Sequence, residues 1–170
     1  MSLDQMVESM VLRMRFAVSL EVIETKRPSA GTQGKGACCS SANCCWRRPG
    51  GLEPDDVPKI AKFLGITKRE LFSTLLVVDE LGEERVLLPA RAHQVTMGLT
   101  GIFLPWRETY SLESPCVFLD EQNKCKIHEV KPKQCREFEC WNPERANGEP
   151  VGWTVKQLKS LGWDGKDDDE

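Results

Sequence analysis

Cys116-Val117-Phe118-Leu119-Asp120-Glu121-Gln122-Asn123-Lys124-Cys125-Lys126-Ile127 carries a turn at its centre and a cysteine in each arm. The arms Val117–Leu119 and Lys124–Ile127 flank the turn formers Asp120 to Asn123, which predicts a tight β-hairpin. Alternation in the second arm puts Cys125 and Ile127 on one face and Lys124 and Lys126 on the other, so Cys125 faces inward. Cys135 and Cys140 follow at once. Upstream, beyond the cysteine-free residues 46–115, stand Cys38, Cys39, Cys44 and Cys45. Eight cysteines in two separated groups of four are how a chain folds back to enclose a metal. The expected fold class is α+β, mainly α: a small cysteine-rich metal-binding domain with a short β-hairpin carrying Cys116 and Cys125.

Between the two groups, the apolar spacing predicts two helices. Pro54 suits a first helical turn, Val57, Ile60, Ala61 and Leu64 share one face, and Gly65 suits the C-terminal cap. Thr67 and Glu70 then form a capping box ahead of Leu71, Phe72, Leu75 and Leu76. This helix pair is the expected core. Residues 84–110 read as a short strand at Arg85–Leu88 and a loop punctuated by Gly and Pro. Before the first cysteines, Leu3, Met6, Val7, Met10, Val11 and Met14 fall on one face of an amphipathic helix over 3–18, capped by Ser2 with Gln5. Residues 28–37 read as a flexible loop. Thr154 and Gln157 cap a short helix closed by Gly162, and an acidic tail runs from Asp167 to Glu170. The division expected is an N-terminal segment over 1–36, a metal-chelating domain over 37–142 and a C-terminal helix and tail over 143–170.

Composition narrows the function. A net charge of −3 and a pI near 5.6 argue against a broad nucleic-acid surface. No apolar run approaches the roughly 20 residues of a membrane span. Asp4 and Glu8 stand where an export signal would be basic. The expected location is therefore the reducing cytoplasm, where cysteines serve as thiols or metal ligands rather than disulfides.

Thiolates suit zinc, copper(I) and iron–sulfur clusters, whereas magnesium and calcium want oxygen. Eight thiols fill two tetrahedral sites, or one site with four thiols left over. The adjacent pair Cys44-Cys45, in an extended backbone, serves two centres more naturally than one. Four thiolates around zinc carry a net charge of about −2, which calls for nearby cations. Arg136, beside Cys135, is the expected donor to a thiolate sulfur, and His128, three residues after Cys125, is expected to support the site rather than ligate. No phosphate-binding Gly-rich loop, His-Glu-x-x-His helix or dinucleotide fingerprint is present in the sequence.

Pro115-Cys116-Val117-Phe118-Leu119-Asp120, Cys125-Lys126-Ile127-His128, Lys131-Pro132 and Cys135-Arg136-Glu137-Phe138 closely resemble, in order and spacing, the YkgJ-like (CxxCxxCC) family of zinc- or iron-chelating domains. The segment around Asp56, Ile60, Ala61, Leu64 and Gly65 resembles the region between that family's clusters, and the likeness runs from about Cys38 to Phe138. It implies metal binding. Two departures stand out: Ser41 occupies a position where the family motif has cysteine, beside an additional Cys39, and Lys131 replaces the family's usual arginine. The function expected is that of a metal-ion or iron–sulfur cluster binding protein, with zinc or a cluster such as 4Fe-4S held by Cys38, Cys39, Cys44, Cys45, Cys116, Cys125, Cys135 and Cys140. Folding and metal binding are expected to be coupled, since two distant clusters must converge. Two other readings stay open: a metal-dependent enzyme using an iron–sulfur centre for redox or group transfer, and a structural zinc module presenting tryptophans to a protein partner.

Overall fold

The computed structural model describes residues 43–47, 49–104, 114–137 and 151–165. The expected helix over 3–18, the loop over 28–37, the acidic tail, Cys38, Cys39 and Cys140 lie outside the described residues. Along the described chain run α1 (Asn43–Arg47), α2 (Asp56–Leu64), α3 (Lys68–Leu75), β1 (Leu76–Leu81), β2 (Glu84–Pro89), α4 (Ala92–Thr96), a 3-10 turn (His128–Val130), α5 (Lys133–Glu137) and α6 (Val155–Ser160). The described part is a mixed α+β fold.

Helix α2 starts two residues beyond Pro54; the proline inside it is Pro58, in the first turn, where a missing amide leaves no gap. Val57, Ile60 and Ala61 are buried on the face that the sequence indicates. Gly65 ends the helix at φ 68, a left-handed conformation open to glycine, while the amide of Ile66 reaches back 3.0 Å to the carbonyl of Ala61. Helix α3 has the expected capping box: Thr67 N donates to Glu70 Oε2 at 2.7 Å, and Glu70 N donates to Thr67 Oγ1 at 3.1 Å.

Helix α3 stops at Leu75, and the chain passes directly into β1. Leu76, Val77 and Val78 are all buried, so neighbours cover both faces of this strand, and the branched valines suit that setting better than a helix. Strand β1 pairs with β2 in antiparallel register from Leu76↔Pro89 to Leu81↔Glu84. The connecting turn is Gly82-Glu83, with Gly82 at φ 67, as a two-residue hairpin turn of the II′ kind requires. The ladder widens by single bridges, Leu52↔Leu87 on one side and Val78↔Phe103 on the other. The strand expected at Arg85–Leu88 lies within β2, whereas the sequence reading passed over its partner β1.

The expected hairpin at 116–127 needs correction. Residues 116–119 close a turn of their own, with Leu119 N donating to Cys116 O at 3.0 Å, so no strand forms there. A single bridge, Leu119↔Cys125, joins the two arms. Asp120 Oδ1 organises the bend by accepting the amides of Gln122 and Lys124, and Asn123 adopts φ 59. The inward placement of Cys125 and Ile127 is nevertheless as the alternation indicates, since both line one cavity.

The core gathers Leu52, Ile60, Leu71, Phe72, Leu75, Leu76, Leu87 and Val117 with Trp153, Leu158 and Trp163 from the last described segment. Trp153 Nε1 donates to Leu52 O at 2.7 Å, so the C-terminal segment is stitched into the same core as α2 and the sheet. Thr154 and Gln157 cap α6, and Gly162 follows at φ 98.

Candidate metal centre

Strand β2 delivers the chain to the site. Beyond Pro89, Ala90–Ala92 run alongside 115–117: Val117 N donates to Ala90 O at 2.9 Å, and Ala92 N donates to Pro115 O at 2.9 Å. This pairing sets Cys116 opposite Arg91. Helix α1 closes on the same segment, since Cys116 N donates to Cys45 O at 2.7 Å. The reverse turn then returns Cys125, and α5 brings Cys135. One cavity is lined by Cys44, Cys45, Cys116, Cys125 and Cys135 together with Phe118 and Lys131. Its volume is about 30 Å³.

None of these five cysteines is in a disulfide; Cys116 is buried and the others are half-buried. Cys44 and Cys45 sit on a helix, not on the extended backbone expected from their adjacency, so both reach one cavity instead of pointing to opposite sides. Burial pushes the Cys116 thiol well above its ordinary value, and the neighbouring Cys45 raises it further. Burial pushes Cys135 up to about 12, again with Cys45 adding and the cation of Lys131 opposing. Thiolates crowded together out of water repel one another, so the metal-free cavity holds these two groups as neutral thiols.

Two buried polar side chains, to which the sequence reading gave no role at the site, hold the cysteine-bearing pieces. Arg91 is 2% exposed, and its Nη1 lies 3.2 Å from Cys45 O, 2.9 Å from Trp46 O and 3.2 Å from Ser114 O. Asp56, equally buried, accepts the amide of Glu53 at 2.9 Å and that of Lys133, at the start of α5, at 3.2 Å. An arginine directly after the apolar run Val86-Leu87-Leu88-Pro89-Ala90 was the available signal for the first, because such a charge is buried only when its donors are used. Gly50 completes the wall: a Cβ there would stand 2.9 Å from both the nitrogen and the sulfur of Cys135.

The two residues expected to support the thiolates lie elsewhere on the surface. His128 is exposed, and Arg136 is exposed with Nη1 donating to Lys131 O at 2.6 Å and Nη2 lying 4.0 Å from Asp56 Oδ1. Neither lines the cavity. The tryptophans offered as partner contacts are internal where described: Trp46, Trp153 and Trp163 are buried.

The donor set fits a thiophilic ion: soft sulfur ligands gathered on one cavity, with a glycine wall beside one sulfur. Among the described residues no group of three or more His, Cys, Asp or Glu side chains is arranged to hold an ion.

A cavity walled by cysteines from two distant stretches defines the class to which this chain is similar, and the family comparison agrees. Residues 36–154 match the model of the CxxCxxCC family, whose description is "Putative zinc- or iron-chelating domain". The match covers well over half of the chain, and the chain belongs to this family. It also extends past the stretch on which the resemblance was read, into the segment carrying Trp153. Neither a curated protein nor a solved structure matches the chain. Among the described residues no helix is long and apolar enough to cross a membrane.

Proposed function

We propose that the chain binds one thiophilic metal ion, zinc or iron, between Cys45, Cys116, Cys125 and Cys135, with Cys44 at the same cavity. The observation that carries this reading is the meeting of five thiols, drawn from α1, the Arg91-paired segment, the reverse turn and α5, on one cavity. Cys45, Cys125 and Cys135 each feel in the electrostatics of Cys116, which ties four thiols to one locus. Upon binding, the ion replaces the thiol protons, and Lys131 in the wall offsets part of the resulting negative charge. A structural or chelating role follows most simply.

Four thiols at one locus suffice for one tetrahedral ion. Anaerobic purification with metal and acid-labile sulfide analysis tests this. Stoichiometric zinc or iron without sulfide supports the proposal. Iron with equimolar sulfide and broad visible absorbance replaces it with a cluster and brings the redox readings forward.

A further inference from the structure

Helix α1 ends on carbonyls that its own backbone cannot satisfy, as every helix does. Here the carbonyls of Cys45 and Trp46 are taken up by Arg91, which also holds Ser114 O, two residues before Cys116. A single buried guanidinium therefore fastens the first cysteine group to the second, through two carbonyls on one side and one on the other. Arg91 is itself pinned: its amide donates to Gln94 Oε1 at 2.7 Å, and it pairs with Cys116 across the bridge. Its charge lies next to Cys45, inside a protein whose metal-thiolate centre carries a net negative charge once loaded.

We propose that Arg91 is the positioning residue of the metal centre: it sets the spacing of Cys45 and Cys116 before the ion arrives and compensates the thiolate charge afterwards. This rests on the metal-binding reading above. Lysine keeps the charge but not the planar, pre-organised guanidinium whose Nη1 meets all three carbonyls. The two roles are therefore separable.

The test is anaerobic titration of cobalt(II) into the reduced, chelator-stripped full chain. Thiolate-to-cobalt charge transfer and ligand-field bands report the ligand set and its geometry, and chelator competition reports affinity. Arg91→Met is expected to bind cobalt roughly ten- to a hundredfold more weakly, as loss of residues that orient metal ligands commonly does, with altered ligand-field bands. Arg91→Lys is expected to fall between that variant and the parent. An Arg91→Met protein that melts earlier yet keeps the parent's bands and affinity would assign Arg91 to the fold alone and overturn the proposal. Should Arg91→Met not fold, Arg91→Lys decides: parental bands and affinity overturn the proposal, weaker binding with shifted bands upholds it. Absence of thiolate charge transfer in the parent chain would instead remove the metal reading itself, and the role of Arg91 with it.

Discussion

Cys135 changes chemical state between an empty and a filled cavity. Its thiol is pushed from 9.0 to about 12 by burial and by Cys45, so the folded, metal-free chain keeps a proton that the unfolded chain gives up near pH 9. The sign follows: this group's contribution to stability is complete below pH 9 and is lost as pH rises toward 12. Stripped, reduced protein should thus melt progressively earlier above pH 9, and Cys135→Ser should flatten that slope. An equal slope in the variant would show that other groups govern the alkaline limb. The wall opposite is just as specific. Gly50→Ala places a methyl 2.9 Å from the Cys135 nitrogen and sulfur, where backbone cannot yield easily. Overpacking of this kind destabilises by about 1–3 kcal/mol, and chelator competition should show weakened metal binding as well. Unchanged affinity would mean that the sulfur of Cys135 is not drawn toward this wall on loading.

At the scale of elements, Asp56 couples α2 to α5. Its carboxylate, 2% exposed, accepts amides from Glu53 and from Lys133, so it helps dock the helix bearing Cys135 alongside the contact of Gln134 with Gly51. Asp56→Ala leaves those two amides without their acceptor and should destabilise by about 1–3 kcal/mol in denaturant titration. It should also speed alkylation of Cys135 relative to Cys116, because α5 loosens while the Arg91-paired segment does not; equal acceleration of both thiols would argue for general loosening. The sequence announced α2, α3 and α6 because each has a cap and a helical apolar period, and those signals are local. It hid β1 because Leu75-Leu76-Val77-Val78 continues the apolar run of α3, so nothing local marks where the helix gives way to a strand. It overstated the hairpin at 116–127 because alternation alone cannot register that residues 116–119 turn on themselves. Of the site, the cysteines were legible by chemistry. Arg91 and Asp56 were not, since what makes them important is which distant carbonyls and amides they meet.

Across the whole molecule, the apolar core and the thiol cavity are neighbours with different supports. The core rests on Leu71, Phe72, Leu76, Leu87 and Trp153, and Cys116 and Val117 join it to the cavity. Arg91 ties the two cysteine groups through backbone carbonyls, and Asp56 helps dock the helix that bears Cys135. Metal removal should therefore lower stability without erasing the fold, a weaker coupling than convergence of two remote cysteine groups alone would suggest. An ion that binds only the folded chain adds about 4 kcal/mol when free metal exceeds Kd a thousandfold. For a chain of this size that corresponds to a melting temperature roughly 10 °C higher. Far-UV circular dichroism of the stripped, reduced chain should keep most of its helical signal below the transition. A stripped chain with no cooperative transition would show that the ion, and not the polar ties, brings the cysteine groups together. A stripped chain that melts with the loaded one would show that the cavity does not bind metal tightly enough to matter for folding.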